Sequence, residues 1–241
     1  MPDFESPGQR RDSLDGFPPS SEALDYPNGL LAVGGDLSPQ RLIAAYRRGI
    51  FPWYEEPQSI LWWTPNPRSV LYPNELHMSR SLRKTLRKDV FTLSVDKAFE
   101  TVIYQCGATR SGGPGTWISD EMMVAYTQLH ERGFGHSIEV YSCDRQLVAG
   151  LYGLAIGGAF FGESMFSLEP DASKVALVGL VDIMKRGAFQ LIDCQIESEH
   201  LNSLGARNIS RLDFEAELDQ NVDREVDPGI WQLPATSGEL L

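Results

Sequence analysis

The sequence predicts an α+β protein built on a mixed sheet, and three observations carry that reading. Leu147–Ile156 and residues 160–167 are apolar, β-branched and aromatic runs joined by Gly157-Gly158, the pattern of two hairpin strands. Residues 173–186 are apolar on nearly every side (Val175, Ala176, Leu177, Val178, Leu180, Val181, Ile183, Met184), so the helix they form needs cover on most faces. After Gly187, residues 189–195 make a further strand, which returns most simply parallel to its predecessor through a right-handed crossover. These elements define a main domain over 67–220. Before it come a loose leader (1–20) and a small N-terminal domain (21–66), and after it a C-terminal tail (221–241).

In chain order, the leader is rich in Pro, Gly and charge without periodicity. Asn28-Gly29 signals a turn, residues 30–33 are a short apolar run, and Ser38 is placed to cap a helix over 39–48 with Pro39 in its first turn and Gly49 as its stop. Residues 50–54 and 61–68 then gather Trp53, Trp62 and Trp63 among prolines that hold them in extended or turn geometry. Such aromatics are local core, or, for Trp53 with Tyr46, a platform on which a nucleobase stacks. Pro65 and Pro67 mark the boundary of the main domain.

Residues 69–72 read as a strand and 77–88 as a helix. Its cations Arg80, Arg83, Lys84, Arg87 and Lys88 recur at spacings of three and four. At ~100° per residue they share an arc of roughly 140°, with Leu82 and Leu86 on another side. The stripe is either a solvated face or a grip for phosphates. A strand over 91–95 and a helix over 97–106 follow, the latter with Ala98, Val102 and Tyr104 to Cys106 inward. A Gly-rich flexible loop spans 110–115, and Trp117 behind it is a core plug or a stacking surface. Next come a helix over 119–132 stopped by Gly133, and a strand over 137–141 whose turn at 143–146 leads into the opening hairpin, giving an antiparallel meander of three strands. After 195 we expect a helix over 198–204 ending at Gly205, an extended stretch over 211–214, and a loosely packed tail.

Of 241 residues 42% are hydrophobic, an ordinary share for a globular protein. The formal net charge of -12 argues against a general nucleic-acid binder, because phosphates are met with Lys and Arg, yet leaves room for a local basic patch. Acidity suits a positively charged substrate or simply solubility. Three cysteines without a C-x-x-C pair and four scattered histidines give neither a disulfide framework nor a metal-ligand spacing, so a reducing compartment and a metal-free site are expected. The N-terminus lacks the basic and apolar regions of a signal peptide, and the longest nearly apolar run, 175–184, is about half of a membrane span. We expect a cytoplasmic protein that does not engage a membrane, and a monomer.

Glu163, Asp193 and Gln195 lie in segments otherwise apolar enough to be buried, where polar groups need a reason. Alternation points Asp193 and Gln195 the same way, and a neighbouring strand ~4.8 Å off would bring Glu163 beside them. Asp193 could alternatively be a structural cap. The cluster suits proton handling on an amine or hydroxyl, or positioning an ester, without a covalent intermediate. Cys194 should face away from Asp193, and Ser164 is not in a G-x-S-x-G elbow. With no Walker motif and no G-x-G-x-x-G, neither ATP nor a dinucleotide is expected as cofactor.

Meander, helix, parallel strand and a helix ending in Leu204-Gly205 is similar to the N-acetyltransferase (GNAT) fold. Members that use acetyl-CoA carry a Q/R-x-x-G-x-G/A loop before the central helix; residues 167–173 here (Ser-Leu-Glu-Pro-Asp-Ala-Ser) have no glycine, which argues against that cofactor. Longer strings are more specific: residues 28–37 (NGLLAVGGDL), 46–53 (YRRGIFPW), 62–68 (WWTPNPR), 115–118 (GTWI), 136–140 (HSIEV), 162–167 (GESMFS) and 191–195 (LIDCQ) together resemble the leucyl/phenylalanyl-tRNA-protein transferase family.

The resemblance implies a bacterial enzyme that moves Leu or Phe from Leu-tRNA or Phe-tRNA to the α-amino group of proteins beginning with Lys or Arg, marking them for degradation, with a small N-terminal domain on a GNAT-like one. It also implies no cofactor. It makes Asp193 and Gln195 the catalytic pair and Glu163 the adjacent acid, with Asp193 acting as a base through Gln195 or as an electrostatic orienter. It places Tyr46, Trp53, Trp117 and Tyr126 around the terminal adenosine, and Phe160, Met165, Leu177, Leu180 and Ile192 in the amino-acid pocket. Leu180 stands where relatives have an aromatic. The basic helix becomes the candidate grip on tRNA.

Overall fold

Residues 16–55, 57–110 and 118–241 are described in the computed structural model. The N-terminal part comprises β1 (Leu30–Val33), α1 (Pro39–Tyr46), β2 (Phe51–Pro52) and β3 (Leu61–Trp63), the strands forming an antiparallel sheet in the order β1-β3-β2. Ser38 caps α1 by accepting the Arg41 N–H, and Pro39 occupies the first turn, where its missing N–H costs nothing. Of the expected loose leader, residues 1–15 lie outside the described residues, but 16–20 are part of the fold. Arg48 donates to the carbonyls of Phe17 and Pro18, and the buried Phe17 ring meets Trp62 edge-on at 4.8 Å. An aromatic among prolines had a core to enter.

The main sheet has seven strands. In chain order the elements are β4 (Arg68–Leu71), α2 (Arg80–Lys88), β5 (Thr92–Val95), α3 (Phe99–Arg110), α4 (Asp120–Glu131), β6 (Gly135–Tyr141), β7 (Leu147–Ile156), β8 (Ala159–Ser167), α5 (Ala172–Arg186), β9 (Leu191–Gln195), α6 (Glu199–Asn202), β10 (Arg207–Ile209) and α7 (Arg211–Asp219). Strand order is β10-β4-β9-β8-β7-β6-β5. β5 to β8 form the antiparallel meander, and β9 lies parallel to β8 with Phe160 opposite Ile192. The α+β class, the mixed sheet and the GNAT-like order of meander, crossover helix and parallel strand are therefore present. Period-two alternation sends Phe160 and Leu151 to the face covered by α5, and Phe161 and Tyr152 to the face shared by α3, α4 and the N-terminal part.

Three expectations are corrected. Residues 211–214 are not extended but open α7, because Ser210 accepts the Asp213 N–H as a helix cap, and Phe214 is thereby buried. Tyr104 is 61% exposed, because the inward face of α3 is set by Phe99, Val102, Ile103 and Cys106. The tail is not loosely packed. Trp231 stacks on His136 at 3.5 Å, Arg186 donates to the carbonyls of Ile230 and Gln232, and Leu93 and Ser237 exchange backbone hydrogen bonds with Ala235 and Phe91. Its scattered apolar residues have the outer side of α5 to cover, where Gly179 lets Leu233 and Leu93 approach closely.

Candidate active site

Asp193 sits in the middle of β9, flanked by β8 on one side and β4 on the other, with no exposed surface. β4 runs antiparallel to it and begins at Arg68. The Arg68 guanidinium donates from Nε to Oδ1 at 2.8 Å and from Nη2 to Oδ2 at 2.6 Å, a two-bond fork with both partners out of water. Its carbon lies 4.8 Å from the Phe51 ring centroid and 4.6 Å from that of Phe214, so the cation is held between two aromatic faces. Arg68 is a site residue that the sequence signals only weakly, as a cation opening an apolar strand directly after Asn66-Pro67.

Gln195 closes β9 at φ 62°, and that left-handed turn ends the simple strand alternation expected of Asp193 and Gln195. Its backbone N–H donates to Asp193 Oδ1 at 2.8 Å, and its Nε2 donates to Glu163 Oε1 at 2.9 Å. Glu163, on β8, is buried, with the Tyr46 hydroxyl 2.7 Å from Oε1 and the Tyr126 hydroxyl 2.9 Å from Oε2. The two phenols also hydrogen-bond to each other. Burial pushes the Glu163 carboxyl up to about 7, against the hydrogen bonds from Tyr46, Tyr126 and Gln195 and with the help of the nearby Asp193 charge. Both phenols are held well above the usual tyrosine range, first by burial and then by Glu163.

A cleft of about 400 Å³ opens beside this network. Phe160, Met165, Leu177, Leu180 and Ile192 all line it, so α5, β8 and β9 bring together the five residues named for the amino-acid pocket. Glu163 and Gln195 stand at its polar side, and Trp53, 42% exposed, at its mouth, tilted against Trp63 at 5.9 Å. Tyr46 and Tyr126 do not present their rings to solvent as stacking surfaces. Their rings are buried, packed edge-on against Phe161 and Tyr152, because only there do their hydroxyls reach Glu163. Trp117 lies outside the described residues. Among possible nucleophiles, Cys194 has its thiol pushed far up by burial. The arrangement suits placing an acyl group against an incoming amine better than forming an acyl-protein intermediate.

On α2, Arg80, Arg83, Lys84, Arg87 and Lys88 are all exposed while Leu82 and Leu86 are buried, and among the described residues none of the five forms an ion pair. Thr85 donates to Asp171 at 3.0 Å, tying α2 to the start of α5. Among the described residues no helix is long and apolar enough to cross a membrane.

Comparison with known proteins agrees over most of the chain. Residues 70–219 match the family model of leucyl/phenylalanyl-tRNA protein transferase, and residues 35–66 match that of the family's N-terminal domain. A leucyl/phenylalanyl-tRNA–protein transferase of Pseudomonas entomophila is 56% identical over 214 residues, covering 89% of this chain and 94% of the relative. One from Nitrosomonas eutropha is 54% identical over 220 residues, covering 91% and 94%. Among solved structures, a GCN5-related N-acetyltransferase from Kribbella flavida aligns at TM-score 0.33 and 13% identity, over 67% of this chain and 57% of that one. The protein is thus an aminoacyltransferase, an enzyme that passes an aminoacyl group from tRNA to protein. It belongs to the leucyl/phenylalanyl-tRNA protein transferase family.

Proposed function

We propose that this chain moves Leu, Phe or Met from aminoacyl-tRNA to the α-amino group of proteins that begin with Lys or Arg, marking them for N-degron proteolysis in the cytoplasm. The observation that supports this best is the cleft, which sets an apolar wall of Phe160, Met165, Leu177, Leu180 and Ile192 against Gln195 and Glu163. In this reading the wall takes the aminoacyl side chain, and Trp53 and Trp117 hold the terminal adenine by stacking. The exposed cations of α2 meet acceptor-stem phosphates. Residues 21–66 serve as a small domain that delivers Trp53, residues 67–220 as the catalytic domain, and the protein acts as a monomer.

Aminolysis of an aminoacyl ester is downhill, so the reaction needs placement and a neutral amine, with neither ATP nor metal. An α-amino group has a pKa of ~8, so attack must be accompanied by loss of a proton. The amine nitrogen bonds to the ester carbonyl carbon, the bond from that carbon to the ribose oxygen breaks, and the amine proton passes to that oxygen through solvent. With Nε2 held by Glu163, the Gln195 carbonyl oxygen is left to accept an N–H of the amine. Asp193 acts as a positioning residue rather than a base: Arg68 already engages both its oxygens, and Oδ1 fixes the Gln195 backbone.

Labelled Leu-tRNA or Phe-tRNA, incubated with peptides beginning with Arg, Lys, Asp or Glu, tests this. Label in the Arg and Lys peptides is expected. Label in the acidic peptides would reassign the acceptor, and binding without transfer to any of them would leave only an aminoacyl-tRNA binder. Neutralising Arg80, Lys84 and Arg87 together should shallow the salt dependence of tRNA binding, and an unchanged slope would remove α2 from the interface.

A further inference from the structure

Three groups close a ring behind the cleft: Tyr46 hydrogen-bonds to Tyr126, Tyr126 to Oε2 of Glu163, and Tyr46 to Oε1 of the same carboxyl. Each hydrogen bond needs one proton between its two oxygens, so the ring needs three. A phenol hydroxyl carries one proton, and the two tyrosines supply two. Gln195 cannot provide the third, because its Nε2–H reaches Oε1 from outside the ring, and both phenols are buried from water. We infer that Glu163 is a neutral carboxylic acid in the resting protein, with Oε2–H donating to Tyr126, Tyr126 to Tyr46, and Tyr46 to Oε1. The opposite circulation would need the same third proton. The Gln195 N–H at Oε1 favours placing it on Oε2.

Among the described residues, the other titratable or charged groups around Glu163 are Asp193 on β9, with Arg68 of β4 forked onto it, and Tyr152 of β7, whose ring lies 5.8 Å from Tyr126, while Cys194 and His200 line the same cleft. The Arg68–Asp193 charges cancel. A neutral Glu163 therefore leaves this side of the cleft without net charge, whereas an ionised one would leave it at one negative charge. A negative floor would hold an incoming α-amine as the ammonium ion, which has no lone pair with which to attack. The ring keeps the floor neutral, and Tyr46 and Tyr126 become positioning residues for the amine's charge state. The upward push of burial on the Glu163 carboxyl is in the same direction.

This consequence for the amine rests on the proposed aminolysis, but the proton on Glu163 can be read without turnover. Infrared spectra of the full chain at about pH 6 should contain a protonated-carboxyl C=O band that is lost on raising the pH toward about 9 and is missing from Glu163→Gln. Glu163→Gln presents an N–H to Tyr126 and a C=O to Tyr46, so it rebuilds the ring. We expect it to slow single-turnover transfer only about threefold, against about 100-fold for Glu163→Ala. No band attributable to Glu163, or a Gln variant as slow as the Ala variant with both folded by circular dichroism, would overturn the inference. Wild-type protein that transfers to no peptide would sink the proposed function, while the infrared result would still decide the proton.

Discussion

Asp193 and Glu163 lie on neighbouring parallel strands, both buried, yet they are stabilised in opposite ways. Asp193 receives a guanidinium fork that is itself sandwiched between two aromatic rings. Glu163 meets only neutral partners, two phenols and an amide, and burial raises its carboxyl to about 7. Burial alone therefore does not decide what a carboxyl group does. One acid has a cation forked onto it, and the absence of any such partner leaves the other to keep its proton.

The contrast breaks most directly at Arg68. Arg68→Met would leave Asp193 buried without its cation and should cost about 3–5 kcal/mol in urea unfolding. Arg68→Lys should cost less, since it keeps the charge but cannot fork. A Met variant as stable as wild type would show that Asp193 does not depend on this pair. Next in size is Asp193→Asn, which keeps the shape and removes the charge. Single-turnover transfer should fall by about 100-fold while aminoacyl-tRNA affinity stays within a few-fold; the reverse pattern would move Asp193 from the chemistry to binding.

The smallest effect should come from pH. Glu163 binds its proton more tightly folded than unfolded, so the stability it contributes is complete below its ordinary value of 4.5 and is lost as pH rises through about 7. Urea titrations across that range should show a falling slope that Glu163→Gln removes. A slope contribution rising with pH would mean that the folded site prefers the carboxylate.

Much of this centre was legible in the chain. The hairpin of β7 and β8, the apolar α5 and the parallel β9 follow from periodicity, and Glu163, Asp193 and Gln195 stood out as polar groups in apolar runs. What was hidden is what comes from far away. Arg68 is separated from Asp193 by 125 positions, and no local pattern announces that β4 will lie antiparallel to β9. Tyr46 and Tyr126 were recognisable as site aromatics, but only tertiary packing turns their hydroxyls onto Glu163 and their rings away from the cleft. The misreading of residues 211–214 had a local remedy, since Ser210 followed three positions later by Asp213 is a cap pattern. The tail offered less, because Trp231 and Leu233 look like isolated residues until the outer side of α5 is in place.

That tail bears on how the protein can be handled. The family match ends at residue 219, which invites trimming the gene there. A chain cut at that point would bare the outer side of the same helix whose inner side lines the cleft, and an uncovered apolar patch of that kind promotes self-association. A purification tag appended after Leu241, which is 52% exposed, leaves the helix backed.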